Sequence, residues 1–180
     1  MFTVPWKRSP KPSAAGLSVL VVCTGNICRS PMAAHLLQHM LPAGLRERVC
    51  VGSAGTYALH GNQAAPPAVQ VMAEAGIDIS GHRARQITGE LIRGSGLIVA
   101  MQRIHLDTIK RMQLWSKARA RLLGEFGPQP ETPEIDDPYG GPIDAYRSCL
   151  EIIRPCIMGL IAHLSGELPD LQGSGSIDAP

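Results

Sequence analysis

Leu17-Ser18-Val19-Leu20-Val21-Val22-Cys23-Thr24-Gly25-Asn26-Ile27-Cys28-Arg29-Ser30-Pro31 joins an apolar run to a cysteine, a tight loop and a helix start. The run is short and rich in valine, as a strand covered on both faces is. Pro31 suits the first turn of a helix, because its ring presets φ. In open α/β sheets, ligands bind beyond the carboxyl ends of the strands. N–H groups closing onto a helix N-terminus make an anion site there. A thiolate at the floor of such a site, with the Arg29 guanidinium on its rim, is suited to attack phosphorus.

Outward from this segment, strand-like runs alternate with helical patterns. That predicts a single α/β domain with a four-stranded parallel sheet, helices on both faces and a phosphate-binding loop after strand 1. The strands are predicted over Leu17–Cys23, Arg48–Ser53, Gly96–Met101 and Ala120–Leu123. Helices are predicted from Arg29 to before Pro42, over Ala68–Ala75 with Gly76 as the stop, after an N-capping Thr88, and over His105–Trp115. The last, Asp144–Leu164, carries an apolar stripe, and Pro155 inside it is expected to kink or split it. Residues 1–16 read as a flexible extension, 17–165 as the domain and 166–180 as a flexible tail.

A chain of 180 residues is long enough for one core, and with 4% aromatics that core should be aliphatic. A net charge of +2 argues for neither nucleic acid nor membrane binding. The apolar runs fall short of the ~20 residues a membrane helix needs, so no insertion is expected. Met1–Ser13 carries Trp6, Lys7, Arg8 and three prolines but no apolar stretch, so it does not read as a secretory signal. A cytoplasmic protein is predicted. Its five cysteines are odd in number and scattered, unlike a secreted disulfide framework, and no Cys-x-x-Cys pair suggests zinc. His35 and His39 share a helix face without a third ligand and read as a half-exposed surface. No metal and no cofactor is predicted. Lys110, Arg111, Lys117, Arg119 and Arg121 read as a solvated basic surface.

The thiolate is the nucleophilic form of cysteine. The loop offers several groups that favour it: converging amides, the positive end of a helix, Arg29 and the Ser30 hydroxyl. Gly25 is expected to allow a turn that a Cβ would resist, and Asn26 to hold the loop by bonding neighbouring backbone. Arg29 can grip two phosphate oxygens as a fork. The reading depends on a sulfur open to solvent and turned toward the guanidinium.

The Cys-x5-Arg-Ser loop with Gly-Asn and a following Pro resembles the signature of the low-molecular-weight protein tyrosine phosphatases, bacterial type. Gly52-Ser53-Ala54-Gly55-Thr56, Gly81-His82-Arg83-Ala84-Arg85-Gln86 and Asp137-Pro138-Tyr139 resemble further motifs of the family, in order along the chain. The resemblance implies two-step phosphomonoester hydrolysis. Cys23 would form a phosphocysteine, Arg29 and the amides of Thr24, Gly25, Asn26, Ile27 and Cys28 would hold the phosphate, and Ser30 would stabilise the thiolate. Asp137 would act as acid and then base, with activity on aryl phosphates peaking on the acid side of neutral. Asp136 and Glu134 are its rivals. Asp137 precedes Pro138, which favours an extended, loop-top conformation. His82 would fix Asn26, Tyr139 would wall the cleft, and Leu59 stands where relatives often carry a larger aromatic. In some relatives a cysteine placed like Cys28 forms a protective disulfide.

The implied partner is a phosphotyrosine protein, such as a tyrosine autokinase of exopolysaccharide or capsule export. The chain departs from the family pattern at Met101-Gln102, where many relatives have an acidic residue, and at Gly140-Gly141-Pro142. Two other functions fit parts of this pattern. An arsenate reductase on the same fold needs relay thiols, and 51–148 holds no cysteine. A non-catalytic phosphotyrosine-binding module would lack the nucleophile, the arginine or the acid, and all three are present.

Overall fold

A computed structural model gives the fold and describes residues 16–112 and 118–168. Four parallel strands, β1 (Leu17–Cys23), β2 (Val49–Gly55), β3 (Leu97–Ala100) and β4 (Arg119–Leu122), lie in the order β2-β1-β3-β4. The most apolar strand is therefore central, paired from Leu17↔Val49 to Cys23↔Gly55 on one side and from Val19↔Leu97 to Val22↔Ala100 on the other. Its side chains alternate between two cores. Val19, Val21 and Cys23 face α1 (Arg29–Met40), α3 (Pro66–Glu74) and α6 (Ile143–Glu167). Leu20 and Val22 pack with Ile92 of α4 (Gly89–Arg93) and Ile109 of α5 (Arg103–Met112). This alternation brings Cys23, at the end of β1, onto the α1 and α6 side.

The caps follow from local chemistry. Thr88 Oγ1 accepts from Leu91 N at 3.2 Å and starts α4. Gly76, at φ +78°, takes the left-handed turn that ends α3. Two short elements were not predicted: α2 (Ala43–Arg46) and the 3₁₀ turn Leu123–Phe126. β2 runs two residues past its predicted end, because Ala54 and Gly55 stay in register with Val22 and Cys23. α5 begins at Arg103, ahead of the predicted His105, and residues 113–117, with Trp115 and Lys117, lie outside the described part.

The sequence reading of Pro155 needs correction. α6 runs unbroken through it to Glu167, so the predicted split does not occur and the predicted tail begins inside the helix. The ring removes one backbone bond, to Glu151. Burial of Ile153, Cys156 and Ile157 on either side offsets that loss. α6 is also long and apolar enough by composition to cross a membrane. Its apolar stripe (Tyr146, Leu150, Ile153, Ile157, Leu160 and Leu164) is buried against α1 and α3 and serves as core. The predicted basic surface is partly paired: Arg119 binds Glu167, and Arg121 binds Glu125 and lies over the Phe126 ring.

Candidate active site

The loop between β1 and α1 folds back on its own cysteine. Cys23 Sγ lies 3.0 Å from Ser30 Oγ and accepts the Asn26 N–H at 3.3 Å. No side chain caps α1, so the amides of its first turn are not taken up by a capping group. The left-handed residue is Asn26, at φ +55°, and not Gly25, where an added Cβ would meet only the Ile27 side chain at 3.4 Å. The turn expected of Gly25 is thus made one residue later. Asparagine tolerates that conformation best after glycine.

Asn26 is held from every side. Its Nδ2 donates to Ser30 Oγ at 2.9 Å and Ser53 Oγ at 3.0 Å, and its Oδ1 accepts from Arg85 N at 3.0 Å. His82 Nε2 donates to its main-chain carbonyl at 2.8 Å. The second sheet strand closes on the loop as well: Thr56 N binds Cys23 O and Tyr57 N binds Thr24 O, both at 2.9 Å. Such closeness requires glycine at position 55, where a Cβ would stand 2.4 Å from Thr24 O and 3.0 Å from Asn26 N.

Arg29 is 1% exposed. Its Nη1 donates to Gln102 Oε1 at 2.8 Å and to Ile135 O at 3.0 Å, while Nη2 pairs with Asp137 Oδ2 and reaches Thr24 Oγ1 at 3.5 Å. Its Nε–H is buried with no hydrogen-bond partner. Of the three carboxylates considered, Asp137 is the one paired with Arg29. Glu134 instead accepts from Arg103 N at 2.7 Å, at the start of α5, and Asp136 is exposed. The sulfur is more enclosed than the sequence reading expects, with Cys23 2% exposed, and the guanidinium is turned to Asp137 and Gln102.

The family model for low molecular weight phosphotyrosine protein phosphatase matches residues 18–169, which takes in the loop, the His82 segment and Asp137. The chain belongs to this family. It is 44% identical over 142 residues to the probable low molecular weight protein-tyrosine-phosphatase EpsP of Ralstonia nicotianae, covering 76% of this chain and 88% of that protein. Among solved structures it resembles the Erwinia amylovora tyrosine phosphatase AmsI, with a TM-score of 0.72, 34% identity and coverage of 82% and 93%. It also resembles the YwlE arginine phosphatase of Geobacillus stearothermophilus, with a TM-score of 0.71, 36% identity and coverage of 84% and 94%.

In the phosphatase the loop residues from Cys23 to Ser30, with Asp137 and His82, converge on one place. Leu59 and Tyr139 stand on exposed flanking segments, and Tyr139 N binds Asp137 Oδ1 at 3.3 Å. Sequence reasoning passed over Tyr57. It is tied to the loop through Thr24 and 79% exposed, and nothing in the sequence marks it. Gln102 was noted as a departure from the family, yet its amide oxygen still accepts from Arg29. His105 was missed altogether: Nε2 lies 2.9 Å from Thr24 Oγ1, and Nδ1 accepts from Gln102 N at 3.1 Å.

Burial sets the titration of the groups around the loop. It pushes the Cys28 thiol up to about 11, with the Tyr146 hydroxyl 3.5 Å away pulling the other way. The Tyr146 phenol is itself pushed up by burial and by Cys28. Burial lowers His105 to about 4, helped by the nearby Arg29 charge. His35 is also lowered to about 4, by burial and by His82, whose ring stands edge-on at 6.1 Å. Of the predicted half-exposed pair, His35 is half-buried and His39 is exposed.

Proposed function

We propose that this phosphatase hydrolyses phosphotyrosine in two steps through a phosphocysteine on Cys23. Cys23 Sγ attacks phosphorus in line: the S–P bond forms, the aryl O–P bond breaks, and Asp137 gives its proton to the leaving phenolate oxygen. Water then attacks the phosphocysteine and Asp137 takes its proton. The S–P bond breaks, and the Ser30 hydroxyl, 3.0 Å away, stabilises the departing thiolate. Arg29 and the loop amides hold the three equatorial oxygens through both steps. Arg29 and the loop amides supply the positive charge that the phosphoryl oxygens meet.

The observation that carries this reading is the buried, unpartnered Nε–H of Arg29. Leaving such a donor unpaired costs about 1–3 kcal/mol, more for a charged group. A phosphate oxygen taken on Nε and Nη2 offsets that cost and displaces Asp137 from Nη2, freeing the carboxyl for the leaving oxygen.

The exposed rings of Tyr57 and Tyr139, with Leu59, offer apolar surface to a phenyl ring. That favours phosphotyrosine over phosphoarginine, the substrate class in the names of two structural neighbours. The bacterial-type motifs favour a phosphotyrosine protein, a tyrosine autokinase of exopolysaccharide or capsule export, as the partner. The described cysteines are all free, which fits a reducing cytoplasm. The test is phosphate release from paired phosphotyrosine and phosphoarginine peptides by the parent and Cys23→Ser. Release from phosphotyrosine that vanishes with Cys23→Ser is expected; release that survives, or a preference for phosphoarginine, overturns the reading.

A further inference from the structure

We propose that His105 is a positioning residue that makes the Thr24 hydroxyl a hydrogen-bond donor to the phosphate of the substrate. This rests on the reading of the loop as the phosphate site and assigns a role to two side chains beyond it.

The argument begins with the tautomer. A backbone N–H only donates, so the Gln102 N–H held 3.1 Å from His105 Nδ1 requires a lone pair there. The ring proton of the neutral imidazole is then on Nε2. That N–H meets Thr24 Oγ1 at 2.9 Å, and Arg29 Nη2 approaches the same oxygen at 3.5 Å. A hydroxyl has two lone pairs and one hydrogen. With both lone pairs facing donors, the Thr24 hydrogen has to point elsewhere. Thr24 is exposed beside the buried Cys23, so the hydrogen is available to an acceptor arriving over the sulfur.

His105 is suited to hold this arrangement. It is 1% exposed, and burial beside Arg29 keeps it neutral at working pH, so neither ring nitrogen changes role. It also ties together the two neighbours of Arg29, since the residue whose N–H it accepts is Gln102, whose side chain takes Nη1. The simpler alternative is that His105 only caps the first turn of α5. Two substitutions separate these roles. The Asn amide overlays Nδ1 and keeps the cap without reaching Thr24; the Gln amide nitrogen overlays Nε2 and keeps the donor.

The experiment is calorimetric titration of the full chain with inorganic phosphate, together with KM and kcat on an aryl phosphate. Thr24→Val and His105→Asn are each expected to weaken phosphate binding about tenfold, one hydrogen bond's worth. KM should rise and kcat change little. His105→Gln should bind within about twofold of the parent, and the Thr24→Val/His105→Asn double variant no more weakly than Thr24→Val. Parent-like binding by His105→Asn, or full additivity in the double variant, overturns the proposal. A nitrogen NMR spectrum of the parent gives a test that needs no variant: Nε2–H with a bare Nδ1 is expected, and the opposite tautomer sinks the idea. A parent that neither binds phosphate nor hydrolyses aryl phosphates would instead refute the underlying phosphatase reading.

Discussion

Arg29 Nη2 pairs with Asp137 Oδ2, joining a guanidinium that is buried under the loop to a carboxylate side chain that is 40% exposed. The two groups proposed for charge stabilisation and proton transfer are therefore partners until phosphate separates them. Asp136, next in sequence, is exposed and takes no part in that pair. Asp137→Ala is expected to lower kcat on phenyl phosphate by about 10²–10⁴-fold, the range of a lost general acid. Asp136→Ala should cost less than about threefold. Steady-state kinetics of both decides it, and equal losses reject the choice of acid.

Gln102 Oε1 accepts from Arg29 Nη1 at 2.8 Å. A hydrogen bond from a charged donor contributes about 1.5–3 kcal/mol. Gln102→Leu should thus lower kcat/KM by roughly tenfold or more, while Ile135 O still holds Nη1. An unchanged kcat/KM would show that Gln102 does not orient the guanidinium.

His35 and His105 are both lowered to about 4, and His82 is lowered as well. Their folded pKa values lie below the unfolded value near ~6.5. The unfolded chain therefore binds more protons between those values, and stability rises with pH across that window. For His35 and His105 the contribution is complete above pH ~6.5 and is lost as the pH falls toward 4, by up to about 1.4 kcal/mol per pH unit for each, and His82 acts in the same direction. Urea unfolding midpoints at stepped pH should fall through this window. A flat profile would contradict the assigned burial of these rings.

Cys28 is a poor thiolate near neutral pH, because burial holds its thiol at about 11. Attack on an oxidised Cys23 needs that thiolate. After mild peroxide treatment at pH 7, the fraction of activity recovered with dithiothreitol should be similar for the parent and Cys28→Ser. A gap should open in favour of the parent as the pH rises toward 11. Strong protection by Cys28 at pH 7 would mean that the thiol is far more acidic than its surroundings imply.

The parts of this molecule that announce themselves in sequence are those where one residue type has one physical use. The valine-rich run before Cys23 reads as a buried strand, and Gly76 and Thr88 read as helix punctuation. Pro155 misled because its cost is local, whereas the burial of Ile153 and Ile157 that carries α6 through it is tertiary. Gly25 misled in a similar way: sequence cannot say which of two adjacent turn residues takes the left-handed conformation, and the bonds from His82, Arg85 and Ser53 place it at Asn26. His105 and Tyr57 were invisible because their significance lies in what they touch across the sheet edge, and no spacing encodes that.

The most direct test is rapid-quench mass spectrometry of the parent and Cys23→Ser during turnover of an aryl phosphate. The account expects one phosphoryl group on the peptide carrying Cys23 in the parent, with Asp137→Ala changing its steady-state amount. Phosphate release with that peptide unmodified, or with the phosphoryl group on another residue, would contradict it.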